Sequence, residues 1–417
     1  MTTPRDVVLI GGLRLPFTKM GTGLADLDIL ELLVPVLNGL VSKYNLSGET
    51  LGDVALGTAF FDPKYWNVSR DAVLRTSLHP HTPAMGLQRA CATSFEAAIT
   101  IANKIAAGQI ESGIAGGVES MTNISIFLRP GLARRMVLSS KAKTFGQKLQ
   151  IWKGLTLHDL KPTTAPGVEL STGKSMGEGC EIMAKTWKIG RKEQDELALK
   201  SHQTAAKAFK DGFYEDLIIE HNGVKFDNNV RSDTSLEKLA KLPPAFDFSG
   251  TGTLTAGNSS PFTDGAGAVL LASESWARER KLPILARIID FETTAVDIKK
   301  EGLLMAPAYA APRLLKRQNM KLQDFDFYEI HEAFTAQVLC TLKAWETPEF
   351  GLGSIDLQKM NVVGGSVALG HPFGATGARI LSSLGKLLHK KGKGARGFAS
   401  ICTGGGMGTV MILESYS

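Results

Sequence analysis

The sequence predicts an α/β fold made of two related halves with a third segment inserted between them. Two observations predict it: strand-like and helix-like stretches alternate along the chain, and a similar order of stretches recurs near the C-terminus. A basic, irregular stretch separates the two runs. We therefore expect one half over 1–122 that is completed by 246–274, an inserted loop or cap domain over 123–245, and a second half over 275–417.

The first half begins with two stretches whose apolar patterns differ. Residues 6–12 (DVVLIGG) are short and apolar, as in a buried strand. Residues 27–44 place apolar side chains at steps of three and four, which indicates an amphipathic helix. The same rules predict a strand over 53–60, a helix over 95–108 and a strand over 112–121.

The second half repeats this order. It runs from FDFYEIHEAF at 325–334 through a helix over 377–392 to GFASICTGGGMGTVMIL at 397–413. LGTAF and IHEAF occupy like places in the two halves, and so do IAGGVESM and ICTGGGMG. These parallels favour two related βαβαβ-type units.

Composition limits the class of protein. The 417 residues carry a formal net charge of +6, a mild preference for anionic partners, but no aromatic-basic stripe accompanies it, so we expect no nucleic-acid partner. Cys91, Cys180, Cys340 and Cys402 are widely spaced without a CxxC, which favours functional thiols over a disulfide framework. The sequence has no signal-peptide layout and no apolar run of roughly 20 residues, so we expect a cytoplasmic protein.

Cys91 is a candidate nucleophile. It lies in LQRACATSFEAA, where we expect Thr93 or Ser94 to cap the following helix. Because a helix N-terminus favours a thiolate over a thiol, the position predicts a depressed Cys91 pKa. The alternative is a buried, inert small side chain, the commoner fate of a lone cysteine.

Two histidines and a glycine run are further candidates. His371 lies between glycine-dense turns in NVVGGSVALGHPFGATGAR, and an imidazole held at a crowded backbone crossing suits a general base for a thiol. His331 and Glu332 form a polar pair in the apolar turn YEIHEAFTAQ, which fits either a capping surface turn or a histidine that holds a water or an oxygen. Three consecutive glycines follow Cys402 and Thr403 in ICTGGGMG, which indicates a tight turn or bare backbone beside a reacting molecule.

Together RACAT, GTLTAGNSSPFTDGAGAVLL, HEAF, GGSVALGHPFGATGAR and CTGGGMG resemble the thiolase family in chain order and spacing, over nearly the whole chain. The resemblance implies the thiolase fold, a layered α/β/α/β/α arrangement of the two halves. HEAF, where most members carry Asn-Glu-Ala-Phe, and LEKLAKLPPAF are similar to the β-subunits of fatty-acid oxidation trifunctional complexes. Ser175 stands where many short-chain members carry histidine, which argues against a dedicated acetoacetyl-CoA enzyme.

The resemblance implies CoA-dependent thiolytic cleavage of 3-ketoacyl-CoA in fatty-acid β-oxidation, by ping-pong chemistry. Cys91 attacks the 3-keto carbon with help from His371, and Cys402 protonates the acetyl-CoA enolate and then deprotonates a second CoA. His371 and a water on His331 stabilise one oxyanion, and the backbone N–H groups of Cys91 and Gly404 stabilise the other. Protonation of His331 would tune that water differently from asparagine.

Coenzyme A is the expected co-substrate, with no permanently bound cofactor and no metal. The resemblance assigns Arg231 to the adenine and phosphates, Leu242 and Phe246 to the pantetheine arm, Ser260 to an amide of that arm, Ala256, Ala333 and Phe334 to the tunnel, and Met305 to the acyl end. Each of these residues has an alternative as ordinary packing.

The family also implies partners. We expect a homodimer or higher assembly and, from the trifunctional likeness, a hydratase/3-hydroxyacyl-CoA dehydrogenase α-subunit. Two other activities stay open: a biosynthetic acetoacetyl-CoA thiolase, which runs the same residues backward, and a non-catalytic CoA-binding scaffold. A β-ketoacyl synthase is disfavoured because it has no need of Cys402.

The segment 129–161 is strongly basic. Its only acidic residue is Asp159, against Arg129, Arg134, Arg135, Lys141, Lys143, Lys148, Lys153 and Lys161. Apolar residues at steps of four and three predict one amphipathic helix through Leu138, Ala142, Phe145, Leu149 and Trp152. This helix either packs as a lid on the acyl tunnel or docks on an anionic membrane surface or a partner subunit.

Overall fold

The computed structural model describes residues 5–164 and 167–416. Its strands are β1 (Val7–Arg14), β2 (Thr18–Lys19), β3 (Asp53–Gly57), β4 (Ala84–Leu87), β5 (Ser112–Glu119), β6 (Thr263–Ser273), β7 (Ala286–Ala295), β8 (Phe327–Ile330), β9 (Arg396–Thr403) and β10 (Met407–Ser415). Its α-helices are α1 (Ile29–Lys43), α2 (Val68–Val73), α3 (Thr93–Ala106), α4 (Pro130–Lys141), α5 (Phe145–Trp152), α6 (Met176–Thr186), α7 (Arg191–Lys210), α8 (Leu236–Ala240), α9 (Glu274–Glu279), α10 (Ala306–Gln318), α11 (Thr335–Glu346), α12 (Ser366–Leu369) and α13 (Thr376–Lys391).

The strands form a ten-stranded mixed sheet in the order β4-β3-β5-β6-β1-β7-β10-β9-β8, with β2 paired to β6. Strand β3 is parallel to β4 and β5, and β8 is parallel to β9. Strand β6, which follows the inserted segment in the chain, pairs with β1 and β5. Among the described residues, the strand set β1–β6 meets the strand set β7–β10 where β1 pairs with β7, through Val8 with Arg287 and Leu9 with Ala286.

The helices complete a five-layer arrangement. Helices α3 and α13 lie in the middle, where Phe95, Ile99, Ile380 and Leu384 share one core with strands from both sets. Helix α1 packs on the outer side of the first set, and α10 and α11 pack on the outer side of the second. This confirms the α/β/α/β/α layering that the resemblance implied.

The inserted segment is more regular than the sequence predicted. It contains α4 to α8, including the 20-residue helix α7. The prediction of a single amphipathic helix is wrong, because α4 ends at Lys141 and the backbone of Ala142 is extended. Thr144 then starts α5 with a capping box to Gln147, a helix-start signal that overrides the apolar period. No helix in the described part of the chain is long and apolar enough to cross a bilayer.

Candidate active site

Cys91 lies in a 3₁₀ turn directly before α3. The prediction that Thr93 or Ser94 caps α3 is wrong, because neither side chain bonds an N–H group of the first turn of that helix. Thr93 Oγ1 donates to the Ala90 carbonyl, and Ser94 Oγ accepts the N–H of Ala378. The second bond joins the two central helices, so Cys91 lies where α3 and α13 meet.

The Cys91 thiol keeps its proton in this structure. Burial raises its pKa to about 12 and the Glu119 carboxylate also raises it, while the N–H groups of Gly404 and Cys91 and the Thr403 hydroxyl lower it. The predicted depression of this pKa is therefore wrong, since burial outweighs the helix terminus. Cys91 retains some accessible surface, whereas the other three cysteines are buried and all four are free. Its reaction as a nucleophile requires a base.

Glu119 connects the loop after β3 to the turn that follows His371. Its carboxylate accepts the Thr58 hydroxyl at 2.6 Å and the N–H groups of Ala59 and Phe60 at 2.9 and 3.0 Å. It also accepts the N–H of Gly374, in the turn after His371, at 3.1 Å. These bonds explain why β3 ends at Gly57 rather than at residue 60.

His371 presents an unprotonated nitrogen to the site. Its Nδ1 lies 2.7 Å from Thr376 Oγ1, whose own hydrogen is donated to the Pro372 carbonyl at 3.0 Å. We assign Nδ1 as the donor in this bond, which makes Nε2 of the neutral ring an acceptor. Burial, and then the Arg379 charge, lowers the His371 pKa to about 3, and Nε2 is buried without a partner among the described residues. The ring is therefore neutral, and the lone pair of Nε2 is available to accept a proton.

Backbone conformation and close contacts require the glycines in the turns around His371. Its N–H donates to Thr263 Oγ1 at 2.8 Å. Gly370, just before it, has φ +104°, and a Cβ on Gly374 would lie 2.4 Å from the Val118 carbonyl oxygen. The chain therefore passes β5 at a distance that only glycine permits.

His331 lies beside His371, with ring centroids 4.1 Å apart. Its Nδ1 lies 2.9 Å from Ser366 Oγ, and its buried Nε2 has no partner in the part of the chain that the structure describes. Burial, and then His371 and Arg379, lowers the His331 pKa well below its ordinary value, so the ring is neutral. Adjacent rings that each leave one nitrogen unpaired mark a place for a polar ligand.

Glu332 is buried rather than part of a surface turn. Its carboxylate accepts Ser201 Oγ at 2.7 Å, Asn361 Nδ2 at 2.6 Å and the N–H of Val367 at 3.2 Å. A Cβ on Gly365 would lie 2.0 Å from its carboxyl carbon. These hydrogen bonds therefore hold the HEAF turn, which includes His331, in contact with the loop that precedes His371.

The glycines after Cys402 form the turn from β9 to β10. Gly405 and Gly406 have φ of +80° and +68°, which requires glycine, and the Gly404 N–H bonds the Cys91 thiol. The run therefore serves as both a tight turn and a bare-backbone donor. Burial, and then Cys91, raises the Cys402 pKa well above its ordinary value, so Cys402 holds a proton.

Glu169 is a site neighbour that the sequence did not indicate. Its Oε1 accepts the N–H of Gly405 at 2.6 Å, so the inserted segment contacts the catalytic turn directly. No motif surrounds Glu169, and its partner is 236 residues away in the chain. Ser366, Thr376 and Arg379 lie within GGSVALGHPFGATGAR, but the sequence did not indicate their contacts with the two histidines.

A cavity of about 660 Å³ collects most of the predicted coenzyme A residues. It is lined by Arg231, Leu242, Phe246, Ala256 and Ser260, together with Lys19, His202, Asp233 and Lys238. Phe334 does not line it but packs edge-on against Phe246 at 5.7 Å, and the Ser260 N–H donates to the Ala333 carbonyl at 2.9 Å. Met305 is fully buried in the second-half core, before α10.

Comparisons with known proteins agree with this fold and site. The description "Thiolase, N-terminal domain" matches residues 7–275, and "Thiolase, C-terminal domain" matches residues 282–415. The chain therefore belongs to the thiolase family of acyltransferases, and it is an enzyme of that family.

The chain is also similar to individual proteins of this family. It is similar to a 3-ketoacyl-CoA thiolase of Yersinia pestis (strain Pestoides F), with 39% identity over 423 aligned positions that cover 98% of this chain and 96% of the relative. The crystal structure of the Bacillus anthracis acetyl-CoA acetyltransferase has a TM-score of 0.85 and 32% identity, with all of both chains covered. That of an Ascaris suum thiolase in complex with coenzyme A has a TM-score of 0.84 and 25% identity, covering 99% of this chain and 100% of that one.

Proposed function

We propose that this protein cleaves 3-ketoacyl-CoA with coenzyme A into acetyl-CoA and an acyl-CoA two carbons shorter. The observation that carries the proposal is the pair of adjacent, neutral histidines whose Nε2 atoms have no partner among the described residues. In this proposal they share one site with a partly accessible and a buried protonated thiol, Cys91 and Cys402.

The first half-reaction transfers the acyl group to Cys91. His371 Nε2 takes the Cys91 proton, and the sulfur attacks the 3-keto carbon to form a tetrahedral oxyanion. When that centre collapses, the bond between the carbonyl carbon and the α-carbon breaks and its electron pair becomes the acetyl-CoA enolate. The enolate takes the proton of Cys402, whose raised pKa keeps that proton available.

The second half-reaction releases the acyl group. The Cys402 thiolate takes the proton of an incoming CoA thiol, and the CoA sulfur attacks the acyl-Cys91 carbonyl. The Cys91 sulfur leaves and regains its proton from His371. Each cycle thus returns both cysteines to the protonated state described here.

Two sets of donors stabilise the oxyanions in this proposal. The N–H groups of Cys91 and Gly404 serve the tetrahedral centre, in keeping with the contact of both groups with the Cys91 sulfur. His331, directly or through a water, and His371 serve the thioester oxygen. One such donor is worth about 3 kcal/mol of barrier.

Coenzyme A is assigned to the 660 Å³ cavity. Lys19, Arg231 and Lys238 provide cations for its phosphates, and the apolar Leu242 and Phe246 face the pantetheine arm. Phe246 lines this cavity and packs against Phe334, which lies three residues after His331 in the chain. We assign this chemistry to fatty-acid β-oxidation in the cytoplasm, and the name of the Yersinia relative, a 3-ketoacyl-CoA thiolase, supports the reaction.

The proposal is tested by incubating the protein with coenzyme A and 3-ketoacyl-CoA of short and long chain. We expect acetyl-CoA and the shortened acyl-CoA from at least one chain length, no turnover by Cys91→Ala, and normal turnover by the buried-cysteine control Cys340→Ala. Absence of cleavage at every chain length by the folded wild-type protein would refute it.

The exposed edge of the sheet supports a homodimer. Strand β4 ends the strand order, is only partly buried, and lines a cavity beside Trp66 and Phe61, which are 99% and 62% exposed. Unpaired strand edges accept a further strand, so we assign the dimer contact to β4. Sedimentation at assay concentration should give twice the 44.7 kDa chain mass, and a fully active monomer would contradict this.

The α4–α5 hairpin supports a peripheral docking role. The lid alternative requires its apolar side chains to be buried, but Phe145, Leu149 and Leu138 are 79%, 66% and 47% exposed. With the basic residues around them, these side chains fit an anionic membrane surface, where each cation contributes about 1 kcal/mol. A hydratase/3-hydroxyacyl-CoA dehydrogenase α-subunit is the other partner proposed for this hairpin.

Vesicle co-sedimentation at low salt tests the membrane assignment. Wild-type protein should bind anionic but not neutral vesicles, and the charge-reversed hairpin should lose binding while thiolysis persists. The reversed set is Lys141, Lys143 and Lys148 to Glu, and the control set is the exposed Lys390, Lys391 and Lys393 to Glu. Wild-type protein that ignores anionic vesicles overturns the membrane assignment.

A further inference from the structure

A buried chain of hydrogen bonds leads to His331 from behind the site. Arg379 Nη1 donates to Glu329 Oε2 at 2.9 Å, and Arg379 Nη2 donates to Ser366 Oγ at 2.9 Å. Ser366 Oγ lies 2.9 Å from His331 Nδ1. The Arg379 and Glu329 side chains are 1% and 2% exposed, so this chain of bonds is shielded from water.

The direction of these bonds follows from what each group can donate. A guanidinium only donates, so Ser366 Oγ acts as acceptor toward Arg379. Within residues 5–164 and 167–416, the one hydrogen-bond acceptor found for the Ser366 hydroxyl hydrogen is His331 Nδ1. If Nδ1 were protonated instead, the Ser366 hydrogen would be buried without a partner, which is costly.

We propose that Ser366 and Arg379 are positioning residues that hold His331 in the tautomer with its hydrogen on Nε2. His371 is assigned the opposite tautomer, in which its Nδ1–H donates to Thr376 Oγ1 and the Thr376 hydroxyl donates to the Pro372 carbonyl. The two rings, whose centroids lie 4.1 Å apart, thus offer one donor and one acceptor side by side. This inference rests on the proposed function, in which the acceptor takes the thiol proton and the donor faces the oxyanion.

The same arrangement keeps His331 neutral. The Arg379 guanidinium lies on the Nδ1 side, behind Ser366, where its charge opposes a second proton on the ring. A neutral Nε2–H stabilises an oxyanion or the water next to it, whereas the other tautomer would aim a lone pair at that negative charge. Losing one oxyanion donor lowers kcat by about 10²–10³-fold in acyl transfer.

Nitrogen-15 NMR of histidine-labelled free protein tests the assignment without requiring turnover. We expect the Nε2–H pattern for His331 and the Nδ1–H pattern for His371. In Ser366→Ala the His331 pattern should shift toward a mixture of tautomers, and kcat should fall by roughly 10–100-fold with KM for the acyl-CoA little changed. The control is Ser382→Ala, a buried serine of α13 whose hydroxyl donates to the Ala378 carbonyl at 2.7 Å.

Each outcome is decisive. An Nδ1–H pattern at His331 in the wild-type protein overturns the proposal, whether or not the variant folds. An unchanged pattern and unchanged kcat in Ser366→Ala also overturn it. If the wild-type protein shows the expected tautomers but cleaves no 3-ketoacyl-CoA, the proposed function fails while the assignment of the two protons stands.

Discussion

Replacing Thr376 by valine should disable His371 without unfolding the loop. Thr376 is fully buried, and its Oγ1 is the acceptor for His371 Nδ1–H at 2.7 Å. Valine keeps the shape and removes that acceptor. The Pro372 carbonyl loses the Thr376 hydroxyl but retains the N–H groups of Ala375 and Thr376 at 2.9 and 3.0 Å. The loss is therefore confined to the histidine.

The size of the effect follows from the one bond that is lost. A buried donor left without its partner costs about 1–3 kcal/mol, because its hydration is not restored. If the whole cost falls on the base-competent tautomer, kcat/KM for thiolysis should decrease by roughly 5–150-fold. We expect the same tautomer loss to appear as mixed ring signals for His371.

Steady-state thiolysis with a 3-ketoacyl-CoA and coenzyme A measures this effect. Thr376→Ser keeps the hydroxyl oxygen, so its kcat/KM should stay within about threefold of wild type, a smaller change than the loss of one hydrogen bond causes. Thr341→Val is a second control, since this buried hydroxyl donates to the Gln337 carbonyl within its own helix, α11. Equal rates for Thr376→Val and Thr376→Ser would refute the tautomer argument for His371.

Two further predictions concern the nucleophile and the HEAF turn. Iodoacetamide should label Cys91 before the buried cysteines. Because the pKa of Cys91 is raised to about 12, the rate of labelling should increase about tenfold per pH unit from pH 7 to 9. A rate that levels off near neutral pH would show a depressed pKa and contradict this. Gly365→Ala should lower the free energy of unfolding by about 1–3 kcal/mol, since its Cβ would lie 2.0 Å from the Glu332 carboxyl carbon. Chemical denaturation measures this, with Gly146→Ala in open space as the control; equal stability of the two variants would contradict it.

The sequence predicted the parts of this molecule that depend on local patterns. Apolar periods located β1, α1, α3, β5 and α13 to within a few residues, because each buries a whole face. The glycine turns around His371 were predictable because crowded backbone requires them. The family motifs named Cys91, Cys402 and both histidines.

Features that depend on tertiary contacts were not predictable in this way. The Cys91 pKa was expected to fall, yet burial raises it, because burial is set by distant segments. The α4–α5 break depends on a capping box that competes with an unbroken apolar period. Glu169 reaches Gly405 across most of the chain, and the direction of the Ser366 hydrogen bond needs the position of Arg379.

The variant Cys402→Ala most directly tests whether Cys91 carries the acyl group while Cys402 transfers the proton. Incubated with a simple acyl-CoA and examined by intact-mass and peptide mass spectrometry, this variant should carry the acyl group on Cys91 while thiolysis of 3-ketoacyl-CoA is lost. Acylation needs only Cys91, His371 and the oxyanion donors, whereas enolate protonation and CoA activation need Cys402. Full thiolysis by Cys402→Ala, or acylation at a residue other than Cys91, would contradict the account.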